Sequence, residues 1–200
     1  MLVSICGTPG VGKTTAASML ADHGWEIIQE KDLISDLSLF DEIDMENGEL
    51  IVEPDILRKG FRVWAEKLTA DTVLEGHLSY LAPADLVLLM RIDPLVVRER
   101  LLKRDYSEDK ITDNVEAEAL GYIFFRCCEE EENALLEKDW KEMGKGQALL
   151  LERDVTDLSP EAISEWFLEM IGAFRDKKLK MISLYRPGKV DWLEAYAEWF

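Results

Sequence analysis

Basic residues are scarce in this chain: 23 Lys and Arg stand against 41 Asp and Glu, a formal net charge of −18 at pH 7. Such a surface repels a polyphosphate backbone, so nucleic-acid binding over the body as a whole is disfavoured. Cysteine is scarcer, with three residues, of which Cys127 and Cys128 are neighbours that cannot readily pair. No disulfide framework is available, and a reducing, cytoplasmic setting is expected. Long apolar runs are missing, and none approaches the length of a membrane span. The apolar start Met1-Leu2-Val3-Ser4-Ile5-Cys6 is too short for a signal-peptide core, lacks a basic flank and runs straight into a glycine-rich turn. Repeats and low-complexity tracts are absent too. What remains is 200 residues, 48% of them hydrophobic. A chain of this length buries roughly 70% of its unfolded surface, enough for one well-packed domain with small insertions.

Apolar runs and breakers alternate in the order strand, helix, strand. Residues 2–6 read as a buried strand, 7–12 as a loop, and 13–23 as a helix ended by Gly24. Residues 25–29 alternate as a second strand, a short helical stretch starts at Asp32, and 40–53 are acidic and irregular. Pro54 opens a helix over 55–68, followed by an extended 72–75 and a strand over 86–90 whose unbroken apolar run implies cover on both faces. Asp93-Pro94 caps the next helix, with Leu95, Val96, Leu101 and Leu102 expected inward before Arg104-Asp105-Tyr106 breaks the pattern. A long helical region over about 112–140, a last strand at 148–151 and a helix from Ser159-Pro160-Glu161 to about residue 175 complete the body. In that last helix Ile163, Trp166, Phe167, Met170 and Ile171 form the apolar face. The alternation predicts a three-layer α/β fold around a parallel sheet.

Gly7-Thr8-Pro9-Gly10-Val11-Gly12-Lys13-Thr14 is a complete phosphate-loop motif in its proper setting, after a strand and at the start of a helix. Its glycines let backbone N–H groups turn inward as an anion nest, and the helix N-terminus adds partial positive charge. Gly10, Val11, Gly12, Lys13, Thr14 and Thr15 are the expected nucleotide-binding residues. Lys13 reaches the β and γ phosphates, and Thr14 offers a hydroxyl to Mg²⁺. Glu75 closes the strand 72–75 where a carboxyl end faces the loop, so it is either the acid that orders Mg²⁺ and a nucleophile or an exposed strand-end carboxylate. His77, two residues on, is either its catalytic companion or a structural side chain. Arg98, Arg100, Lys103 and Arg104 with Lys110 are either a mobile cationic lid, led by Arg104, or a solvated helix face. Thr112-Asp113-Asn114 is read as a helix cap just beyond.

The phosphate loop, Glu75-Gly76-His77, the stretch 101–106 and Lys110-Ile111-Thr112-Asp113-Asn114-Val115-Glu116-Ala117-Glu118 together resemble the atypical adenylate kinase family, whose members are also small-ribosomal-subunit maturation ATPases. The resemblance covers about residues 1–175, and Glu-Gly-His is similar to the archaeal branch. It implies a five-stranded parallel P-loop nucleoside monophosphate kinase fold, with a monophosphate-binding region over about 31–69 and a lid over about 104–114. It further implies ATP and Mg²⁺ as cofactors, AMP as acceptor, slow ATP hydrolysis, and a basic small-subunit ribosomal protein as partner, with Lys13, Glu75, His77 and Arg104 catalytic and Thr14 and Glu75 on the metal. The family's monophosphate-site arginine is missing from Lys31-Asp32-Leu33-Ile34-Ser35-Asp36, which leaves Asp32 and, on the next helix, Arg58 or Arg62 as acceptor contacts, with Lys59 beside them. An assembly ATPase with little kinase turnover, or a kinase of another small acceptor such as a different nucleotide or dephospho-coenzyme A, are the alternatives.

Two features lie outside the motif set. Glu129-Glu130-Glu131-Glu132 is either a solvated face or a surface that receives a basic partner. Residues 176–200 hold five basic and four acidic residues, so they are expected to dock on the acidic body. Trp192, Leu193, Tyr196, Trp199 and Phe200 are spaced for one face of a short helix, which serves either as a stabilising end or to bring Arg186 or Lys189 to the nucleotide site.

Overall fold

A computed structural model describes residues 1–43, 50–130, 133–134 and 147–196. In chain order the strands are β1 (Leu2–Cys6), β2 (Glu26–Gln29), β3 (Glu42–Ile43), β4 (Leu50–Ile51), β5 (Thr72–Glu75), β6 (Leu86–Arg91), β7 (Asn133–Ala134) and β8 (Ala148–Asp154). The helices are α1 (Lys13–Ser18), α2 (Glu30–Asp36), α3 (Pro54–Ala65), α4 (Pro94–Leu102), α5 (Glu108–Ala119), α6 (Tyr122–Glu129), α7 (Pro160–Arg175) and α8 (Leu179–Ile182). The main sheet runs β2-β5-β1-β6-β8-β7 with every pairing parallel. Five of these strands are the predicted ones, and β7 adds a two-residue edge.

The alternation of side chains along each strand makes the three layers. Val3, Ile5, Leu88, Met90 and Leu151 pack with Leu20, Trp166, Phe167 and Met170 on one face. Leu2, Cys6, Leu89 and Leu150 pack with Leu33, Leu57, Phe61 and Ile123 on the other. All six residues of β6 are buried, as its apolar run required. Each large side chain so buried contributes roughly 1.5–3 kcal/mol. The predicted apolar face of α7 is buried throughout, and Ser159 caps that helix by accepting from the Ala162 N–H. Among the described residues no helix is long and apolar enough to cross a membrane.

Several local expectations are corrected. The first helix is α-helical only to Ser18 and tightens into a 3₁₀ turn at Met19–His23, while Gly24 ends it in the left-handed conformation (φ 82°) as read. The acidic segment is not wholly irregular, since β3 and β4 form an antiparallel ribbon. In α4 the inward pair is Val97 and Leu101, and Leu95 and Leu102 are exposed, because one helix face covers the phosphate loop. The long helix over 112–140 is two helices, α5 and α6, separated at Gly121 with φ 66°, and residues 135–140 lie outside the described residues. Ser107 caps α5, so Thr112, Asp113 and Asn114 lie within it; Thr112 and Asn114 bond back to the Glu108 and Lys110 carbonyls.

The C-terminal segment docks on the body, through ring packing and hydrogen bonds. Tyr185 packs on Trp166 with ring centroids 5.6 Å apart, and Tyr196 donates to Asp93 Oδ1 at 2.6 Å. The helix expected over its last residues is not formed at 193–196, which make turns; Trp199 and Phe200 lie outside the described residues. Lys189 turns its ammonium to the Leu184 carbonyl at 2.8 Å.

Candidate functional site

The carboxyl ends of β1, β5 and β2 lie side by side in the sheet. Parallel register sets Glu75 opposite Ile5 on one side and Gln29 on the other, so the last residue of β5 stands beside the loop that leaves β1. Gly7 must be glycine there, because a Cβ would lie 2.5 Å from the Met90 carbonyl oxygen. Gly12, with φ 104°, turns the chain into α1.

Lys13 is buried, and its Nζ donates to the Gly7 and Thr8 carbonyls at 2.6 and 3.1 Å. Its cation therefore sits folded on the loop. Burial pulls its pKa down, opposed by the carboxylates of Glu75 and Glu30. Thr14 donates its hydroxyl to Glu75 Oε1 at 2.8 Å, and Glu75 is buried. The predicted metal pair is thus in contact. One hydroxyl and one carboxylate are hard oxygen donors of the kind that hold Mg²⁺ together with substrate phosphates and water. Thr15 is exposed at the loop's rim.

Glu30 was missed by sequence reading. It follows Gln29, the strand neighbour of Glu75, and this position beside a strand-end acid was the available signal. Its carboxylate is buried beneath the Gly76-His77 turn: Oε2 accepts the Leu78 N–H at 2.6 Å, and Oε1 lies 3.5 Å from His77 Nδ1. Burial pushes its pKa up to about 7, against the Leu78 hydrogen bond and the nearby Lys13 charge. His77 itself is half exposed, at the rim.

The cations of α4 divide between the rim and the loop. Arg104 is exposed beyond the end of α4. Arg100, one turn earlier, reaches the loop and donates from Nη1 to the Gly10 and Val11 carbonyls at 3.1 and 3.0 Å. These bonds tie the two loop carbonyls to α4. Burial, then repulsion from Arg104, lowers the Arg100 pKa. On α3, Arg58 is clasped by Glu130 through Nε and Nη2 at 3.0 and 2.6 Å and also donates to Asp55. Arg62 and Asp32 are exposed. Glu129 pairs with Arg126, so the described half of the four-glutamate run is engaged within the chain; Glu131 and Glu132 lie outside the described residues.

Residues 3–121 match a family described as AAA domain. A protein named "Putative adenylate kinase" from Pyrococcus abyssi is 38% identical over 199 residues, covering 99% of this chain and 94% of that protein. One of the same name from Methanocaldococcus jannaschii is 31% identical over 200 residues, covering 100% and 97%. Among solved structures, thymidylate kinase from Candida albicans is similar with a TM-score of 0.50 at 12% identity, covering 88% of this chain and 92% of that one. A sugar kinase from Janibacter sp. HTCC2649 gives 0.51 at 16% identity, covering 86% and 94%. At such identities these two structures bear on the fold alone, which is that of a P-loop kinase.

Proposed function

This chain belongs to the family of those archaeal adenylate kinase-like proteins, and from that premise we propose that it transfers the γ-phosphate of ATP to AMP, with slow hydrolysis of ATP beside it. The observation that carries the reading is the contact set of the loop: Lys13 folded over it, Thr14 bonded to Glu75, and Arg100 holding its outer carbonyls. Backbone N–H groups of residues 10–15 would bind the β and γ phosphates, and Lys13 would exchange two carbonyls for phosphate oxygens. That exchange is favourable because a buried ammonium gains a full negative charge in place of dipoles. Thr14 and Glu75 would hold Mg²⁺, which when bound neutralises charge on the transferring group. Glu75 and His77 would orient the acceptor, and Arg104 would fold inward from the lid over residues 104–114 to exclude water. Asp32, Arg58 and Arg62 would contact AMP from the region 31–69.

A second reading, an assembly ATPase that uses water in place of AMP, is favoured by one observation. Arg58, the half-buried cation of the acceptor region, is already neutralised by Glu130, whose hydrogen bonds raise its pKa. Such an ATPase would serve small-ribosomal-subunit maturation with a basic ribosomal protein as partner. Steady-state assays of ATP with each nucleoside monophosphate, beside ATP alone, distinguish the two: AMP-dependent ADP formation well above the ATP-only rate is expected. Equal rates with and without AMP would replace the kinase with the ATPase.

A further inference from the structure

The phosphate loop and the C-terminal segment lie at opposite ends of the sequence, yet one buried series of charged groups joins them. Thr8, the second residue of the loop, donates its hydroxyl to Glu118 Oε2. Glu118 Oε1 accepts from Arg91 Nε at 2.7 Å and from the Ile92 N–H at 3.1 Å. Arg91 donates again to the Glu118 carbonyl at 2.8 Å and, through Nη1, to Glu152 Oε1 at 3.0 Å. The other oxygen of Glu152 accepts the Gly188 and Lys189 N–H groups at 2.6 and 3.1 Å. Thr8, Arg91, Glu118 and Glu152 are all buried, none more than 4% exposed.

Charge shows why each member needs the next. Two carboxyl groups face one guanidinium in a place with little water, and burial pushes the Glu118 pKa up against the Arg91 charge and the Thr8 and Ile92 hydrogen bonds. Unpaired charge there is strongly unfavourable, and only hydrogen-bond donors aimed at the carboxylates offset it. Ile92 and Thr8 supply them at one end, and the backbone of residues 188 and 189 supplies them at the other. Arg91 is held in one orientation between the two carboxylates; burial works against its charge, but Glu118 and Glu152 outweigh it and raise its pKa. The Gly121 break packs beside the guanidinium, where a Cβ would stand in ordinary contact at 3.5 Å, so it is the φ of 66° that favours glycine there.

We propose that Glu118 is a positioning residue of the phosphate loop, acting through Thr8, and that residues 188–189 complete the same device by fixing Glu152 against Arg91. The loop end of the series bears on the chemistry directly, because the Thr8 carbonyl also receives Lys13 at 3.1 Å. Turning the Thr8 side chain away from Glu118 frees the peptide that holds the Lys13 ammonium. The C-terminal segment is then a working part of the nucleotide site without touching it. This inference rests on the phosphate-loop reading, and not on AMP being the acceptor.

The test uses the full chain and three variants. Thr8→Val keeps the side-chain shape and removes the donor. Gly188→Ala places a side chain at φ 84° where its nearest neighbour, Phe124 Cζ, is 3.6 Å away, so it acts through the backbone that serves Glu152. Leu184→Ala, in the same segment and 65% exposed, is the control. Amide exchange of residues 7–12 is measured without nucleotide, and the Kd for ADP by titration. Thr8→Val and Gly188→Ala are each expected to speed exchange in the loop and weaken ADP roughly tenfold, the double variant no more than either alone, while Thr8→Ser restores binding. Loop exchange and Kd equal to wild type in both variants, or effects that multiply in the double variant, would overturn the inference. Loss of AMP turnover in the wild type with these ADP results intact would overturn the kinase reading and leave this one standing.

Discussion

Glu130 and Arg58 form a two-bond pair, Nε to Oε2 at 3.0 Å and Nη2 to Oε1 at 2.6 Å, that ties the end of α6 to α3. The planar fork of Arg58 is the form in which a guanidinium would also take a phosphate, so on the proposed acceptor role Glu130 and a monophosphate would compete for one group.

Glu130→Gln is therefore expected to lower the KM for AMP by about fivefold, the equivalent of roughly 1 kcal/mol, since a neutral amide holds the guanidinium less tightly. Arg58→Ala is expected to raise it, with the KM for ATP unchanged in both variants. Initial rates over a grid of AMP and ATP concentrations check this, and an unchanged KM for AMP in both would remove Arg58 from the acceptor site.

Lys13→Met is expected to keep the fold and lose about 10²–10³ in turnover, as does removal of one preorganised donor to the transition state. The side chain is buried against the Gly7 and Thr8 carbonyls, and methionine fills most of that volume. Circular dichroism and single-turnover rates together check it; near-normal turnover would contradict the phosphate-loop assignment.

Glu30 links stability to pH. Its folded pKa of about 7 lies above the ordinary carboxyl value of 4.5. The folded state therefore binds this proton more tightly than the unfolded one, and the associated stability is full below about pH 4.5 and lost as pH rises toward 7. The loss amounts to about 3 kcal/mol on the linkage relation. Lys13, Glu75 and His77 face the same carboxyl, and Glu30→Gln replaces it with a group that stays neutral. Melting curves of wild type and Glu30→Gln at pH 5 to 8 should diverge in favour of the variant as pH rises. Parallel curves would show that this carboxyl does not govern the dependence.

Tyr196→Phe tests the docking of the C-terminal segment. It removes one hydrogen bond to Asp93, whose Oδ1 also caps α4 by accepting the Leu95 N–H. A loss of about 1 kcal/mol in urea unfolding is expected. A variant as stable as wild type would mean that this contact adds nothing to the fold.

Local chemistry made much of the molecule legible. The phosphate loop needs only contiguous residues, so Gly7 to Thr14 announced both its conformation and its ligand class. Strand and helix order followed from apolar periodicity, and Ser159-Pro160 and Asp93-Pro94 marked helix starts, because caps act within one turn. Glu75 could be placed at the site because a parallel strand ends where its neighbours end. The breaks at Ser18 and Gly121 were hidden, since a glycine or a polar residue inside a helical pattern does not state which backbone conformation its surroundings will favour.

The sequence by itself determined the layers and the loop, and it singled out Lys13, Thr14 and Glu75, which the structure brings together at the loop. Only the tertiary structure decided which of the many other charged residues meet. Arg100 rather than Arg104 lies on the loop, Glu30 lies under His77, Glu130 holds Arg58, and Glu118, Arg91 and Glu152 connect Thr8 to Gly188. The physical reason is range. Propensity and periodicity are properties of a few neighbouring residues, whereas a buried charge is stabilised by whichever opposite charge or donor the packed layers bring within about 3 Å, and that partner stands anywhere in the chain.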